Sequence, residues 1–312
     1  MEKIIFTTCT AAYLAQAKSL GDSILQTNPG YRLCIGLVDK MDGRFDPAFF
    51  APHEIFPVAL LSIPPFADMQ SRYSLLELSC ALKPWFALYL LEKYKTGQII
   101  YMDTDIRLTG SLVYLEEELS RHSILLTPHI MSPLPADDKR PHETAILKTG
   151  IYNAGFFAVK NDENGNAFLN WWRDILVDYC YEDSSRGLAS DQSWLNFVPL
   201  FFKNVKIIDH PGCNVAYWNM HERKLEKAGE SLIVNTEFPL LFFHFSGYSM
   251  KNPALISRHQ DRFKLTDNPV VAELFRIYHA ALKENRHEEM QNIPCAYARP
   301  KSILKKLGLG KK

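Results

Sequence analysis

The sequence predicts an α/β domain whose central, mostly parallel sheet is flanked by helices. Three observations predict it. The chain opens as strand, helix, strand: Ile4 to Thr8 is a short apolar run, Leu14 to Leu25 carries apolar residues at helical spacing, and Leu33 to Val38 is apolar again. A second apolar strand, Gln98 to Met102, follows directly on a helical segment and ends on Asp103-Thr104-Asp105. Strand and helix then alternate once more, at Tyr152 to Val159 and Phe168 to Cys180. Alternation of this kind belongs to parallel sheets covered on both faces.

The remaining elements follow in order. Ser71 is placed to cap a helix over Tyr73 to Leu82. Pro84 breaks that helix and suits the first turn of another, Trp85 to Tyr94, which Gly97 ends. Leu112 to Arg121 reads as a short helix and Ile124 to Thr127 as a strand. His129 to Lys148 holds Pro133, Pro135 and Pro141 and little periodicity, so a long loop is expected, and long loops often serve as lids. Asp191 to Phe197 looks like a helix start. Val205 to Ile208, Leu232 to Val234 and Leu241 to Phe245 are candidate strands, and Val270 to Leu282 is a last amphipathic helix. The expected division is one catalytic domain over residues 1–265 and a C-terminal helix with a basic tail over residues 266–312.

Composition narrows the function classes. The 312 residues suit one large domain or two small ones. With 47% hydrophobic and 22% charged residues, a core of ordinary size can form. Lysine plus arginine balances aspartate plus glutamate at 35 each, so no global field favours nucleic acid. Cys9, Cys34, Cys80, Cys180, Cys213 and Cys295 form no C-x-x-C pair and read as reduced, structural thiols of a cytoplasmic protein. No apolar stretch approaches the roughly 20 residues of a membrane span, and Met1-Glu2-Lys3 leads into no secretory h-region. Beyond Met290 the chain has no acidic residue, and Ile303, Leu304, Leu307 and Leu309 alternate with Lys305 and Lys306. Such a tail suits either an anionic membrane surface, at the inner face, or a solvated terminus.

The chemistry centres on Asp103 and Asp105. A strand alternates its faces, so the two carboxylates point the same way. They stand where a buried strand ends, and ligands of open α/β sheets bind there. Two converging carboxylates repel unless a cation lies between them. A divalent metal held there could also neutralise a diphosphate leaving group.

Four motifs in chain order carry a family resemblance. Ile100-Tyr101-Met102-Asp103-Thr104-Asp105 resembles the D-x-D motif of GT-A glycosyltransferases, most of all glycosyltransferase family 8 and related bacterial nucleotide-sugar transferases. Tyr152-Asn153-Ala154-Gly155-Phe156 resembles that family's asparagine–small–glycine strand, and Asp191-Gln192 its Asp-Gln helix start. His244-Phe245-Ser246-Gly247, with Lys251 and Pro253 behind, resembles its H-x-x-G-x-x-K-P segment. The resemblance spans about residues 3 to 253, as spaced motifs.

The resemblance implies a GT-A fold and a retaining hexosyltransferase that works on a nucleotide-sugar, most often a UDP-sugar. The acceptor would be a glycan or a lipid-linked saccharide, as in polysaccharide biosynthesis. Asp103, Asp105 and His244 would hold the metal, and Asp103 and Thr104 would also lie near the donor. Gly247 and Lys251 would meet the diphosphate. Asn153, Asp191 and Gln192 would line the donor-sugar site, with Asp191 as candidate nucleophile or Gln192 as stabiliser of an oxocarbenium-like transition state. The loop from Thr8 to Tyr13 would hold the base, and Lys83 stands where the family has basic residues near the donor. Two carboxylates and an imidazole suit manganese, with magnesium the second choice.

Some positions depart from the pattern. Lys251 stands one residue late, Ala81 occupies a place where relatives have arginine, and Ser193-Trp194 follows the Asp-Gln pair. Plainer roles compete as well. Asp191 could be a helix cap worth about 1 kcal/mol, Asn153 a turn or ladder contact, and His244 a hydrogen-bonded core histidine. Trp171-Trp172 reads as core packing, and Asn214 to Asn219 as part of an acceptor cleft or a structural loop. A nucleotide-sugar hydrolase and a non-catalytic binding module on the same fold are the alternative functions.

Overall fold

β1 (Lys3–Cys9), α1 (Leu14–Thr27) and β2 (Tyr31–Leu37) form the expected opening unit, with β1 and β2 parallel. These coordinates are a computed structural model that describes residues 2–299. The lysines and leucines of the basic tail, from Lys301 onward, lie outside the described residues.

A short strand that the sequence reading did not include, β3 (Glu54–Pro57), adds in parallel to β2. The helix expected over Tyr73 to Leu82 is α3 (Leu75–Ala81), and a helix that the sequence reading did not include, α2 (Phe66–Arg72), precedes it. Ser74, not Ser71, is the cap of α3. Its hydroxyl accepts from the Glu77 amide while the Glu77 carboxylate accepts from the Ser74 amide, which satisfies two orphan donors reciprocally. α4 (Lys83–Tyr94) carries Pro84 in its first turn, as expected. It stops at Lys95, which takes a left-handed φ of 47°, and not at Gly97.

β4 (Gln98–Met102) leads through the Asp103–Asp105 turn into β5 (Ile106–Leu108). α5 (Val113–Arg121) and β6 (Ile124–Pro128) follow. The long segment expected as loop contains α6 (Glu143–Thr149), just before β7 (Tyr152–Lys160). α7 (Glu163–Tyr179) starts earlier than its apolar spacing suggested, because Asp162 caps it by accepting from the Gly165 amide. A ribbon of β8 (Glu182–Asp183) and β9 (Leu188–Ala189) leads to a 3-10 turn over Gln192–Phe197 and then α8 (Val198–Phe201). The last strands are β10 (Val205–Ile207), β11 (Leu225–Ala228), β12 (Ser231–Val234), β13 (Phe238–Pro239) and β14 (Phe242–His244). Asn268 caps α9 (Pro269–Glu284), and α10 (His287–Met290) closes the described chain.

The central sheet has seven strands in the order β10-β6-β7-β4-β1-β2-β3. Only β7 runs antiparallel to its neighbours, β4 and β6, so the sheet is mostly parallel, as predicted. Alternate residues feed two cores. Phe6, Tyr101 and Phe157 face α4 and α7, whereas Ile5, Ile100 and Phe156 face α1 and α5. A third core joins β14 to α9, where the Phe245 and Tyr278 rings stack 4.0 Å apart. Burying each such phenylalanine contributes about 2–3 kcal/mol. Trp171 and Trp172 pack as expected: Trp172 is fully buried, its ring 5.1 Å from Phe157 and 5.4 Å from Phe168. No helix among the described residues is long and apolar enough to cross a membrane.

Candidate active site

β1 and β4 are parallel neighbours, with Phe6 beside Tyr101, so the segments that follow them emerge at one edge of the sheet. Thr8 and Tyr13 come from the first, and Asp103, Thr104 and Asp105 from the second. The turn at Asp103 is fixed by its own backbone. The Asp103 amide donates to the Gly155 carbonyl at 2.8 Å, and its carbonyl accepts from the Ile106 amide at 3.1 Å. The Tyr101 hydroxyl donates to Asp103 Oδ1 at 2.6 Å, and Thr8 Oγ1 lies 3.3 Å from that same hydroxyl. Tyr13 is exposed.

β14 pairs antiparallel with β5 and sets His244 opposite Ile106. That register places His244 Nε2 3.0 Å from Asp105 Oδ1. The other ring nitrogen faces Asn214 Oδ1 at 3.2 Å, so Nδ1–H donates and Nε2 is turned to the aspartates. Asp103, Asp105 and His244 each offer a ligand atom, all within 4.8 Å of one another. Gly155 keeps the space clear. A Cβ there would overlap His244 Cε1 and stand 2.9 Å from Asp103 Oδ2. Two carboxylates, one imidazole and a pocket cleared by glycine fit a divalent metal.

Lys83 sits beneath this cluster, 3% exposed. Its Nζ is 2.8 Å from Asp191 Oδ2, 3.5 Å from Asp103 Oδ1, and donates to the Ala154 carbonyl at 3.0 Å. Burial works against its charge, but the Asp103 and Asp191 carboxylates outweigh burial and hold it well above the ordinary lysine range. The same contest governs the pair above it. Burial opposes charge on His244 and on Asp105, and each partner overrides it, raising the histidine and lowering the aspartate.

Asp191 does not cap the turn that follows it. Its φ and ψ are helical, −74° and −23°, and its side chain makes no capping hydrogen bond. The carboxylate points inward to Lys83, while Trp172 Nε1–H donates to its carbonyl at 3.1 Å and pins the backbone. Asn153 and Gln192 are heavily engaged with protein. Asn153 Nδ2 donates to Gln192 Oε1 at 3.1 Å, and Asn153 Oδ1 accepts from the Gly155 amide and from Asn214 Nδ2. Gln192 Oε1 also accepts from the Ala154 amide, and its Nε2 donates to the Thr149 carbonyl.

Gly247, just beyond β14, has φ +74°, which suits glycine. Lys251 is exposed, and its side chain has no partner among the described residues. So the structure gathers Asp103, Asp105, His244, Lys83, Asp191, Asn153 and Gln192 by direct contacts, by the 4.8 Å cluster and through Asn214, and among the described residues the Lys251 side chain contacts none of them. Sequence reasoning missed three residues. Tyr101 orients Asp103, Gly155 clears the space between the candidate metal ligands, and Asn214 orients His244. Asn214 and Asn219 are fully buried: Asn219 bonds the Asn214 and His129 carbonyls, whereas the Asn214 side chain leaves its loop for Thr127, Asn153 and His244. The only local signal for Asn214 is asparagine's tolerance of its left-handed φ of 54°.

No protein-family model matches this chain. Two curated relatives, both uncharacterized proteins of Bacillus subtilis, do match it. YfnF is 26% identical over 223 residues, 71% of this chain and 73% of its own. YfnD is 28% identical over 191 residues, 60% of this chain and 58% of its own. Among solved structures, the apo glycosyltransferase GlyE of Streptococcus pneumoniae TIGR4 superposes with a TM-score of 0.51 at 16% identity. The match covers 93% of this chain and 64% of GlyE, so this chain spans less than two thirds of that protein. An active-site mutant of LgtC superposes with a TM-score of 0.50 at 12% identity, over 89% of this chain and 95% of LgtC. These likenesses give the GT-A fold.

Proposed function

We propose that this protein is a metal-dependent glycosyltransferase. It moves a hexose or related sugar from a UDP-sugar to a glycan or a lipid-linked saccharide. The observation that carries this reading is the Asp103–Asp105–His244 cluster, gathered from two hydrogen-bonded strands at the carboxyl end of the sheet. Manganese suits this donor set. Bound there, the metal supplies charge neutralisation to a diphosphate leaving group.

The chain's own residues do the rest. Asn214 holds the His244 ring with Nε2 facing the aspartates. Lys83 pairs with both Asp103 and Asp191 at short range. Asp191 and Gln192 line the side on which the donor sugar lies. Asp191 presents a carboxylate there to the anomeric carbon as its bond to the diphosphate breaks; the acceptor hydroxyl then displaces Asp191 and gives its proton to the departing diphosphate, and the two inversions make the reaction a retaining one. The six unpaired cysteines favour a reducing compartment, the cytoplasm.

Calorimetry of UDP with manganese, and then with EDTA, tests the site on the wild type and on Asp103→Asn. Binding that needs the metal and disappears in the variant is expected. Equal UDP affinity in both proteins would sink the metal site. Binding of GDP or CMP in place of UDP would keep the site and change the donor. Product anomers read by NMR test the stereochemistry: an inverted product removes Asp191 from its role.

A further inference from the structure

As the sugar bond breaks, the diphosphate of the donor gains a negative charge beyond what one divalent cation cancels, so a further cation facing it favours departure. Lys83 is not free for that task, since its ammonium is committed to Asp191, Asp103 and the Ala154 carbonyl. Around the segment that follows His244, the other arginines are also committed. Arg140 pairs with Asp261 at 3.0 Å, and Arg262 with Asp137 at 2.7 Å. Among the described residues, two cations between His244 and Phe263 have no carboxylate partner: Lys251 and Arg258. They differ in how they are held. Lys251 stands in an exposed turn, bonded only through its backbone amide to Ser249.

Arg258 is fastened to Gly247. Its amide donates to the Gly247 carbonyl at 3.1 Å, and its Nε–H donates to His259 Nε2 at 3.1 Å. His259 in turn lies parallel to Tyr217, ring centroids 6.2 Å apart, and Tyr217 adjoins Trp218, whose ring meets His244 edge-on at 5.2 Å. The contact at Gly247 is close enough to require glycine. A Cβ there would overlap Ser257 Oγ and stand 2.5 Å from His259 Cδ2. The missing side chain of Gly247 is therefore filled by the returning strand of its own loop. That return brings Arg258, exposed and without a carboxylate partner, back to Gly247, three residues beyond the candidate ligand His244.

We propose that Arg258, steadied by His259, binds the donor phosphate nearer the sugar. The proposal rests on the nucleotide-sugar reading of the site. Thr8 and Tyr13 lie on the β1 side of the two aspartates and Gly247 on the β14 side, so the phosphate farther from the base faces this loop. The guanidinium offers paired donors that match phosphate oxygens.

The test is manganese-supported binding of UDP, UMP and inorganic pyrophosphate to wild type, Arg258→Ala, Arg258→Lys and Lys251→Ala. Arg258→Ala should weaken UDP about tenfold or more, leave UMP unchanged and leave the thermal midpoint in place. Arg258→Lys should recover part of the loss, and Lys251→Ala should match the wild type. Equal loss of UDP and UMP, no loss of either, or a loss that follows Lys251→Ala overturns the assignment while the transferase reading stands. If the wild type binds pyrophosphate but no UDP, the uridine reading falls, and loss of pyrophosphate in Arg258→Ala still supports the arginine's role. If the wild type binds neither UDP nor pyrophosphate, both proposals fail.

Discussion

Two Asp–His pairs in this protein look alike and do different things. Asp105 and His244 lie 3.0 Å apart with side chains 32% and 4% exposed; Asp22 and His53 lie 3.2 Å apart with side chains 31% and 2% exposed. Distance and burial do not separate them. Their surroundings do. Asp22 is also bonded by Lys18 at 2.9 Å and by Asn285 at 3.2 Å, so its oxygens are matched and α1 is tied to the end of α9. Asp105 has His244 and, close by, a second carboxylate on Asp103. The first cluster is closed and the second is one cation short. A site is recognised here by its unbalanced charge and not by its residue types.

Exchanging the treatment of the two pairs gives the largest contrast. Asp105→Asn removes a metal ligand, so UDP affinity in manganese should drop by more than about 100-fold, beyond the loss typical of residues that only orient a ligand. Stability should fall as well, because the pair with His244 that holds the Asp105 carboxyl below its ordinary value is lost. Asp22→Asn should leave UDP affinity intact and lower stability. The comparison breaks if Asp22→Asn loses manganese-dependent binding, or if Asp105→Asn keeps it.

Asn214→Ala sharpens the contrast at an intermediate scale. This side chain orients His244 while bonding Thr127 and Asn153, so manganese affinity should fall about 10–100-fold. His53→Gln, at the matching position of the closed pair, should not move it. A lower thermal midpoint in Asn214→Ala with unchanged manganese affinity would reduce Asn214 to a structural brace.

The contrast also marks what could be read from the sequence. Asp103 and Asp105 are legible because they directly follow a plainly apolar strand, although they stand in the turn between β4 and β5 and not on one strand face as the alternation argument expects. His244 lies far along the chain, and only the order of motifs links it to them; as an isolated residue in an apolar run it reads like His53. Lys83 was legible as a nearby cation, but its place between Asp103 and Asp191 depends on packing across the sheet. In the fold, the long apolar strands and amphipathic helices were readable, whereas β3 and β5 are too short for periodicity to register. The cap at Ser74 was misplaced to Ser71 although the S-x-x-E spacing to Glu77 is in the sequence. α6 escaped because proline-rich chain precedes it and its apolar face is a single buried residue, Ile146.

The smallest expected effect concerns the closed pair alone, and its sign is fixed by linkage. Burial pushes the Asp22 carboxyl up, but the hydrogen bonds from His53, Lys18 and Asn285 outweigh burial and take it from 3.8 down to about 2. A carboxylate with a depressed folded-state value stabilises the protein above its unfolded value and loses that contribution as pH falls through the folded one. Stability from this group is thus complete above about pH 4 and fades toward about pH 2. Discounted for the side chain's partial exposure, it amounts to about 1–2 kcal/mol. Urea unfolding across that window should show the wild type losing this increment and Asp22→Asn losing correspondingly less, because asparagine does not titrate. Parallel pH curves for the two proteins would mean that the latch between α1 and the end of α9 holds no charge-dependent stability, and that the closed pair differs from the open one only in having no vacancy for a metal.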